Sequence, residues 1–527
     1  MTRNREAPAL CESEVDMQKQ ICVTVMQTET EKSELSLQVG ESLLSMLIRE
    51  KIVTFANCGG RGTCGRCRIR FLEGETPPGP ADRKMFTPDQ LRKGYRLACT
   101  ARPGKDCVIH PDFLGEKKLE IMTAYRKKSA ESSHTVAGER DVIAAIDLGT
   151  TTIAMQLLGA TSGIVITSHS MMNPERIYGS DVISRMQASI QGKRQEICML
   201  IRNAIEEGVS ELLRKAESLI SDEGVRREIH LQMVVISGNT TMNHLFMGYD
   251  VEGLGQYPFQ PVTLGQIETE CDISVKIGNI QRIQKIRTIL MPGISAFVGG
   301  DIFSGLLSQE LLQTGDEKEE QETVLFIDLG TNGEIVLQGR QKAVCTATSA
   351  GPAFEGGANA EVPGTEMISI LSQLLETKTM DETGLLRSPY FEEGVWINKV
   401  YINQKHIRDL QMAKAAVRAG IEVLLETLDM TVEEVDKVYL AGGFGYWLNA
   451  EAAERIGLLP PGLSKRTLAV GNTSLDGAGL YGRLLWQKEQ DKLKQAEFGV
   501  QQIEVINLAA ISGFEEKYIR NMNFEQA

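Results

Sequence analysis

The chain has 527 residues, 42% hydrophobic and 24% charged, an ordinary globular composition in a chain too long for one core; at roughly 150 residues per domain it holds about three or four units. Its 70 acidic against 56 basic side chains leave a formal charge of -14, which disfavours a sequence-independent grip on phosphate backbones and sets nucleic acid aside. The opening MTRNREAPALCESEVDMQKQ lacks the apolar run of a signal peptide, and no uncharged run reaches about 18 residues, so the expectation is a cytoplasmic protein with reduced thiols and no membrane segment.

After a polar extension at 1–19, QICVTVMQ alternates as a strand, and ELSLQVGESLLSMLIREKI reads as a second strand turning into a short amphipathic helix. A stretch rich in glycine and cysteine follows. Then come CRIRFLEGE as a strand, TPPGPADRKMFTPDQL as a proline-rich loop, and YRLACTARPGKDCVIH, closing a mixed unit at 20–112. Residues 113–140 are polar and weakly patterned, as a linker would be. From Asp141, apolar strands ending in small-residue turns alternate with long helical stretches, which argues for α/β layers. A polar gap near 313–322 separates two halves, 141–322 and 323–527. Each half holds one copy of the same device, VIAAIDLGTTTIAMQLL and VLFIDLGTNGEIVLQ, 181 residues apart, so two similar subdomains facing each other are expected.

The stretch NCGGRGTCGRC, with the later Cys99, spaces Cys58, Cys64, Cys67 and Cys99 as C-x5-C-x2-C-x31-C. Structural zinc usually takes two CxxC-type knuckles, whereas here three thiols share one loop and the fourth stands alone. Plant-type 2Fe-2S sites use C-x4-C-x2-C with a remote fourth cysteine, one residue shorter in the first gap. Gly59, Gly60, Gly62 and Gly65 would let backbone N-H groups close around inorganic sulfide. A 2Fe-2S cluster is the favoured reading, and zinc is the alternative. The other cysteines, Cys11, Cys22, Cys107, Cys198, Cys271 and Cys345, are scattered and read as ordinary thiols.

In the paired turns, Gly149 and Gly330 allow a phosphate close to the backbone, Thr150, Thr151, Thr331 and Asn332 can donate to it, and Asp147 and Asp328 can hold a magnesium ion or its water. These two aspartates are also the candidate catalytic residues. One such turn is weak evidence, because strands often end in Asp-Gly turns for structural reasons; two copies in matching contexts are stronger. VYLAGGFG runs a strand into Gly442 and Gly443, against which an adenosine could lie, although a plain strand-to-helix turn reads the same way. VVISGNTTMNHLFMG, with Gly238, Asn239 and Thr240, and GNTSLDGAG look like connecting segments. His244 within the former reads as a core or capping histidine.

In this order the three turns resemble the phosphate 1, phosphate 2 and adenosine motifs of the acetate and sugar kinase, Hsp70 and actin superfamily, and CGGRGTCGRC resembles 2Fe-2S ferredoxin loops. With GSDVISRM, SAGPAFEG and IRDLQMAKAAVRAGIEVLL they make the chain from about Gln20 onward similar to the ATP-dependent reductive activators of corrinoid proteins. That resemblance implies an α+β ferredoxin-like (β-grasp) domain followed by an actin/Hsp70-type α/β ATPase of two subdomains. It implies a 2Fe-2S cluster, ATP and Mg2+ as cofactors, and a one-electron return of Co(II) to Co(I) in a corrinoid protein serving methyl transfer. It further implies an upstream low-potential electron donor and is compatible with a homodimer. After Gly357 the text departs: PGTEM stands where the family pattern has a longer insertion and a Gly-Ser-Gly turn, which shortens a partner-facing segment. ATP-driven reduction of another low-potential acceptor, a small-molecule kinase with a regulatory cluster, and a redox-sensing ATP-binding protein are the competing readings.

Overall fold

The computed structural model describes residues 20–26, 32–50, 52–53, 58–63, 65, 67–112, 139–220, 229–277, 280–312, 322–350, 354, 364–398, 400–442 and 448–524. The chain divides into two compact units at Gly115/Glu116. The extension at 1–19 and most of the linker and of the polar gap expected from sequence lie outside the described residues.

In the first unit, five strands form one mixed sheet in the order Lys32–Gln38, Gln20–Met26, Cys107–Pro111, Arg68–Glu73, Tyr95–Leu97. Gln20–Met26 runs antiparallel to Lys32–Gln38 and parallel to Cys107–Pro111. Alternation explains the packing: Ile69 and Phe71 are buried while Arg68 and Leu72 are exposed. Helix Leu43–Arg49, capped by Ser42, lays Leu43, Leu44, Met46 and Leu47 into the core with Val23, Val25 and Ile109. This mixed sheet with a helix across it is the expected ferredoxin-like fold. The proline-rich stretch is not the plain loop the composition suggests. It folds into two short helices, Pro80–Met85 and Pro88–Arg92, each with proline in its first turn. Proline there loses no hydrogen bond and arrives with helical φ already set.

The second unit holds two six-stranded sheets. The first has the order Ile267–Ile277, Ile280–Leu290, His230–Gly238, Asp141–Leu148, Thr152–Gly159, Val165–Met172, and the second the order Thr467–Gly471, Lys437–Ala441, Val324–Leu329, Gly333–Gln338, Ala343–Thr348, Ile503–Val505. The repeat seen in sequence is a repeat of topology. Asp141–Leu148 and Val324–Leu329 are each flanked by an antiparallel strand on one side and a parallel strand on the other.

Alternate residues of these strands enter different cores. Val142, Ala144 and Ile146 pack with the long helix Arg194–Ile220, whereas Ile143 and Ala145 face Leu475, Ala478 and Tyr481 of helix Thr473–Trp486. That last helix belongs in sequence to the second half yet covers the first sheet. Helix Gly300–Ser308 lies beside it, so closely that a Cβ at Gly477 would stand 2.0 Å from the Ser304 carbonyl oxygen. Phe326, Val336 and Cys345 of the second sheet join the same core, and Leu325, Ile327 and Leu329 face a separate one with helices Gly364–Glu376 and Gln404–Thr427.

Candidate functional site

The cysteine loop spans the gap between helix Leu43–Arg49 and strand Arg68–Glu73. Cys58, Cys67 and Cys99 are all buried, and Cys64 lies outside the described residues. The Cys99 N-H points at Cys67 Sγ from 3.5 Å, and the Cys99 thiol is drawn below the ordinary range chiefly by its hydrogen bond with Cys67, against burial and the neighbouring Cys58. Gly59, Gly60, Gly62 and Gly65 all have left-handed backbone, with φ of 58°, 81°, 73° and 71°. A set of four such residues is open only to glycine at low cost. Gly62 also leaves no spare space, since its Cβ would stand 3.1 Å from both Ala81 Cβ and Thr100 Cγ2. Buried thiols on a loop of left-handed glycines fit thiolate ligation of an iron-sulfur cluster. Among the described residues no three His, Cys, Asp or Glu side chains are gathered as ligands of a single metal ion.

In the second unit, the two DLGT turns meet. Thr151 Oγ1 and Thr331 Oγ1, from opposite sheets, are 3.2 Å apart. Each turn follows a strand whose parallel neighbour ends at the same level: Leu148 is opposite Gly238, and Asp328 is opposite Ala441. The register therefore brings the connecting segment to the first turn and Gly442 to the second. Asn239 caps helix Thr240–Met247 and donates through Nδ2 to Thr150 Oγ1 at 3.2 Å, while Thr240 Oγ1 donates to the Ser295 carbonyl at 2.6 Å. Gly149 permits the first turn, because a Cβ there would stand 2.6 Å from the Thr152 carbonyl oxygen. Gly330 N donates to the Asn332 carbonyl at 2.9 Å. Gly442, at φ 107°, packs its α-carbon against the second turn, where a Cβ would come 2.4 Å from the Leu329 carbonyl oxygen. Gly443 lies outside the described residues, as do residues 358–363, while Gly364 of the PGTEM stretch opens helix Gly364–Glu376.

Four carboxyl groups gather at this meeting point. Asp147 accepts from Asn472 Nδ2 and Ser474 Oγ, each at 2.8 Å. Asp147, Asp301 and Asp328 keep some solvent contact although protein surrounds them deeply. Burial pushes Asp301 up to about 7, helped by the charge of Asp147, and Asp328 up to about 8, helped by Asp301 and Asp147. Glu334, the cross-strand partner of Asp328, is raised well above the usual range by burial and then by Asp301 and Asp328. Like charges confined in a poorly solvated place attract a cation or hold protons.

Asp301 and Glu334 were not singled out from sequence, nor were Asn472 and Ser474. The usable signals were GGD opening a helix and the glutamate two positions past Asn332. His244 is structural. Its Nε2 accepts from Val262 N at 3.0 Å, which leaves the proton on Nδ1 to donate to the Thr240 carbonyl at 2.7 Å, and burial keeps the ring below the ordinary histidine range.

Three family descriptions match the chain in tandem: a 2Fe-2S iron-sulfur cluster binding domain at 27–104, the RACo middle region at 143–314, and the C-terminal domain of RACo, the ASKHA domain, at 322–361 and 358–527. The corrinoid activation enzyme RamQ of Eubacterium limosum is 26% identical over 72% of this chain and 70% of its own length. One component of the Na(+)-translocating NADH-quinone reductase of Psychrobacter cryohalolentis is 33% identical over 19% of this chain, which spans only 24% of that protein. A solved structure described as a reductive activator for corrinoid, iron-sulfur protein shares the fold over 96% of this chain and 98% of its own, at 23% identity and a TM-score of 0.61. No helix among the described residues is long and apolar enough to cross a membrane. The chain thus carries, in tandem, a 2Fe-2S iron-sulfur domain, the RACo middle region and the RACo C-terminal ASKHA domain.

Proposed function

We propose that the protein is an ATP-dependent one-electron reductase that returns the cobalt of a corrinoid protein from Co(II) to Co(I), in support of methyl transfer. The observation that carries this reading is the tandem of a buried-cysteine loop and two phosphate-type turns whose Thr151 and Thr331 hydroxyls stand 3.2 Å apart. An electron carrier working downhill needs no nucleotide, whereas each ~59 mV uphill costs about 1.4 kcal/mol per electron, starting from about -400 mV for plant-type clusters.

In this reading the cluster is held by Cys58, Cys64, Cys67 and Cys99 and supplies one electron per cycle. Thr150, Thr151, Thr331 and Asn332 clamp the nucleotide phosphates, Asp147 and Asp328 hold Mg2+ and its waters, and Gly442 and Gly443 lie against adenosine. Asp301 belongs with the aspartates, since the charge of Asp147 acts on Asp301 and both act on Asp328. Nucleotide can drive transfer only by binding two conformations unequally, and turns on two separate sheets let closure differ from opening. The working units are 20–112, 141–322 and 323–527, in a cytoplasmic protein fed by a low-potential donor.

The test mixes reduced, cluster-loaded protein with a Co(II) corrinoid protein under anaerobic conditions, with and without ATP and magnesium. Co(I) absorbance should appear only with nucleotide. Equal reduction without ATP would refute the coupling, and phosphate transfer to a metabolite would favour the kinase reading.

A further inference from the structure

The segment GSDVISRM holds a basic side chain that the nucleotide reading leaves unused. Arg185, on helix Val182–Ala188, is fully buried and pairs with Glu175, also fully buried, at 3.1 Å. Its Nε donates to the Gly179 carbonyl at 3.1 Å, its Nη1 also meets Met242 Sδ at 3.3 Å, and its Nη2 donates to the carbonyl of Thr150. Thr150 is in the first DLGT turn. The same turn is held at two more carbonyls by one residue, Asn173: its Nδ2 donates to the Gly149 oxygen and its backbone N to the Thr151 oxygen, both at 2.9 Å. Asn173 Oδ1 in turn accepts from Glu175 N at 2.9 Å, so Asn173, Glu175 and Arg185 form one network.

Three successive carbonyls are thereby drawn to the same support. In a trans peptide the N-H of the next residue points opposite to the carbonyl, so fixing the Gly149 and Thr150 oxygens sends the N-H groups of Thr150 and Thr151 away from that support. A turn that is to hold an anion must offer N-H groups and withdraw its carbonyls.

A purely stabilising origin for the ion pair is hard to reconcile with its chemistry. A buried pair seldom adds net stability over apolar residues of the same size, and here Glu175 Oε1 is buried without a hydrogen-bond partner. The guanidinium, with five donors in a fixed planar fork, serves a carboxylate and separate carbonyls at once in a rigid geometry that a lysine ammonium lacks.

We propose that Arg185, with Glu175 and Asn173, is a positioning residue that pre-orients the first phosphate turn for nucleotide binding. This rests on the nucleotide reading given above. The pair touches the turn from behind, and its effect reaches the phosphates only through the backbone.

The test uses the full chain with its cluster reconstituted, a fluorescent ATP analogue with magnesium, and thermal unfolding. Arg185→Lys keeps a charge opposite Glu175 but loses the fork, and the double variant E175Q/R185Q removes both charges without stranding either. Both should raise the analogue's Kd and the KM for ATP about tenfold, equivalent to about 1.4 kcal/mol, with kcat within about twofold and unchanged cluster absorbance. A lowered unfolding midpoint with Kd within about twofold of wild type, in either variant, overturns the proposal, because that is how a solely structural pair behaves. Wild-type protein that binds no analogue would remove the nucleotide reading and this one with it. Normal binding by wild type and variants alike removes only this one.

Discussion

Ser474 Oγ reaches Asp147 Oδ1 at 2.8 Å, across 327 residues of sequence, and stands 2.9 Å from Ser237 Oγ. With Asn472 it opposes the burial that raises the Asp147 carboxyl, keeping its charge available to a cation. Ser474→Ala should weaken Mg-ATP binding roughly tenfold, in line with about 1.5 kcal/mol for a hydrogen bond to a charged group. Titration calorimetry near neutral pH reads this directly. An unchanged affinity would mean that Asp147 ionises without help from Ser474.

The crowded carboxylates make stability depend on pH and magnesium. Asp301 and Asp328 titrate in the folded protein at about 7 and about 8, far above an exposed aspartate, so between about pH 4 and about pH 8 the folded state binds more protons than the unfolded chain. Their contribution to stability is greatest below the unfolded value and falls as pH rises through the folded ones. The unfolding midpoint of nucleotide-free protein should drop from about pH 6 to about pH 9, and magnesium should restore more at the higher pH. A midpoint that rises over this range contradicts the arrangement.

At the cluster, Gly62→Ala combines a left-handed φ of 73° with contacts of 3.1 Å to Ala81 and Thr100. The backbone penalty alone is roughly 1–2 kcal/mol, and it falls on the loop that carries Cys58 and Cys67. Iron and sulfide incorporation should drop severalfold by visible absorbance. Gly104→Ala is the control, since nothing lies within 4 Å of its Cβ position.

Gly477→Ala tests the paired helices. The Ser304 carbonyl oxygen 2.0 Å from the new methyl forces helices Thr473–Trp486 and Gly300–Ser308 apart. Overpacking of this kind costs about 1–3 kcal/mol, so the unfolding midpoint should fall by several degrees. Cluster absorbance should stay unchanged.

What the sequence disclosed follows from distance along the chain. The DLGT turns, the glycines around Cys58 and Cys67, and the strands beside them depend on neighbours within a few residues, and each was readable. Asp301, Glu334 and Ser474 matter because separate strands and helices bring them to Asp147 and Asp328, and no local pattern encodes that meeting. Arg185 sat in a segment recognised by resemblance, but its carbonyl partner lies 35 residues away and its role needed coordinates. The proline-rich stretch misled because proline marks helix starts as well as loops, and Thr87 with Gln90 forms a capping box that was there to be read.

Helix Thr473–Trp486 has a bearing on synthesis. One face of the sheet begun at Asp141 stays bare of Leu475, Ala478 and Tyr481 until that helix exists. A ribosome delivers the helix only after most of the chain has emerged, so the first half cannot finish folding during its own translation. An apolar sheet face waits for a cover made some 300 residues later, and truncated transcripts would yield a product prone to aggregation.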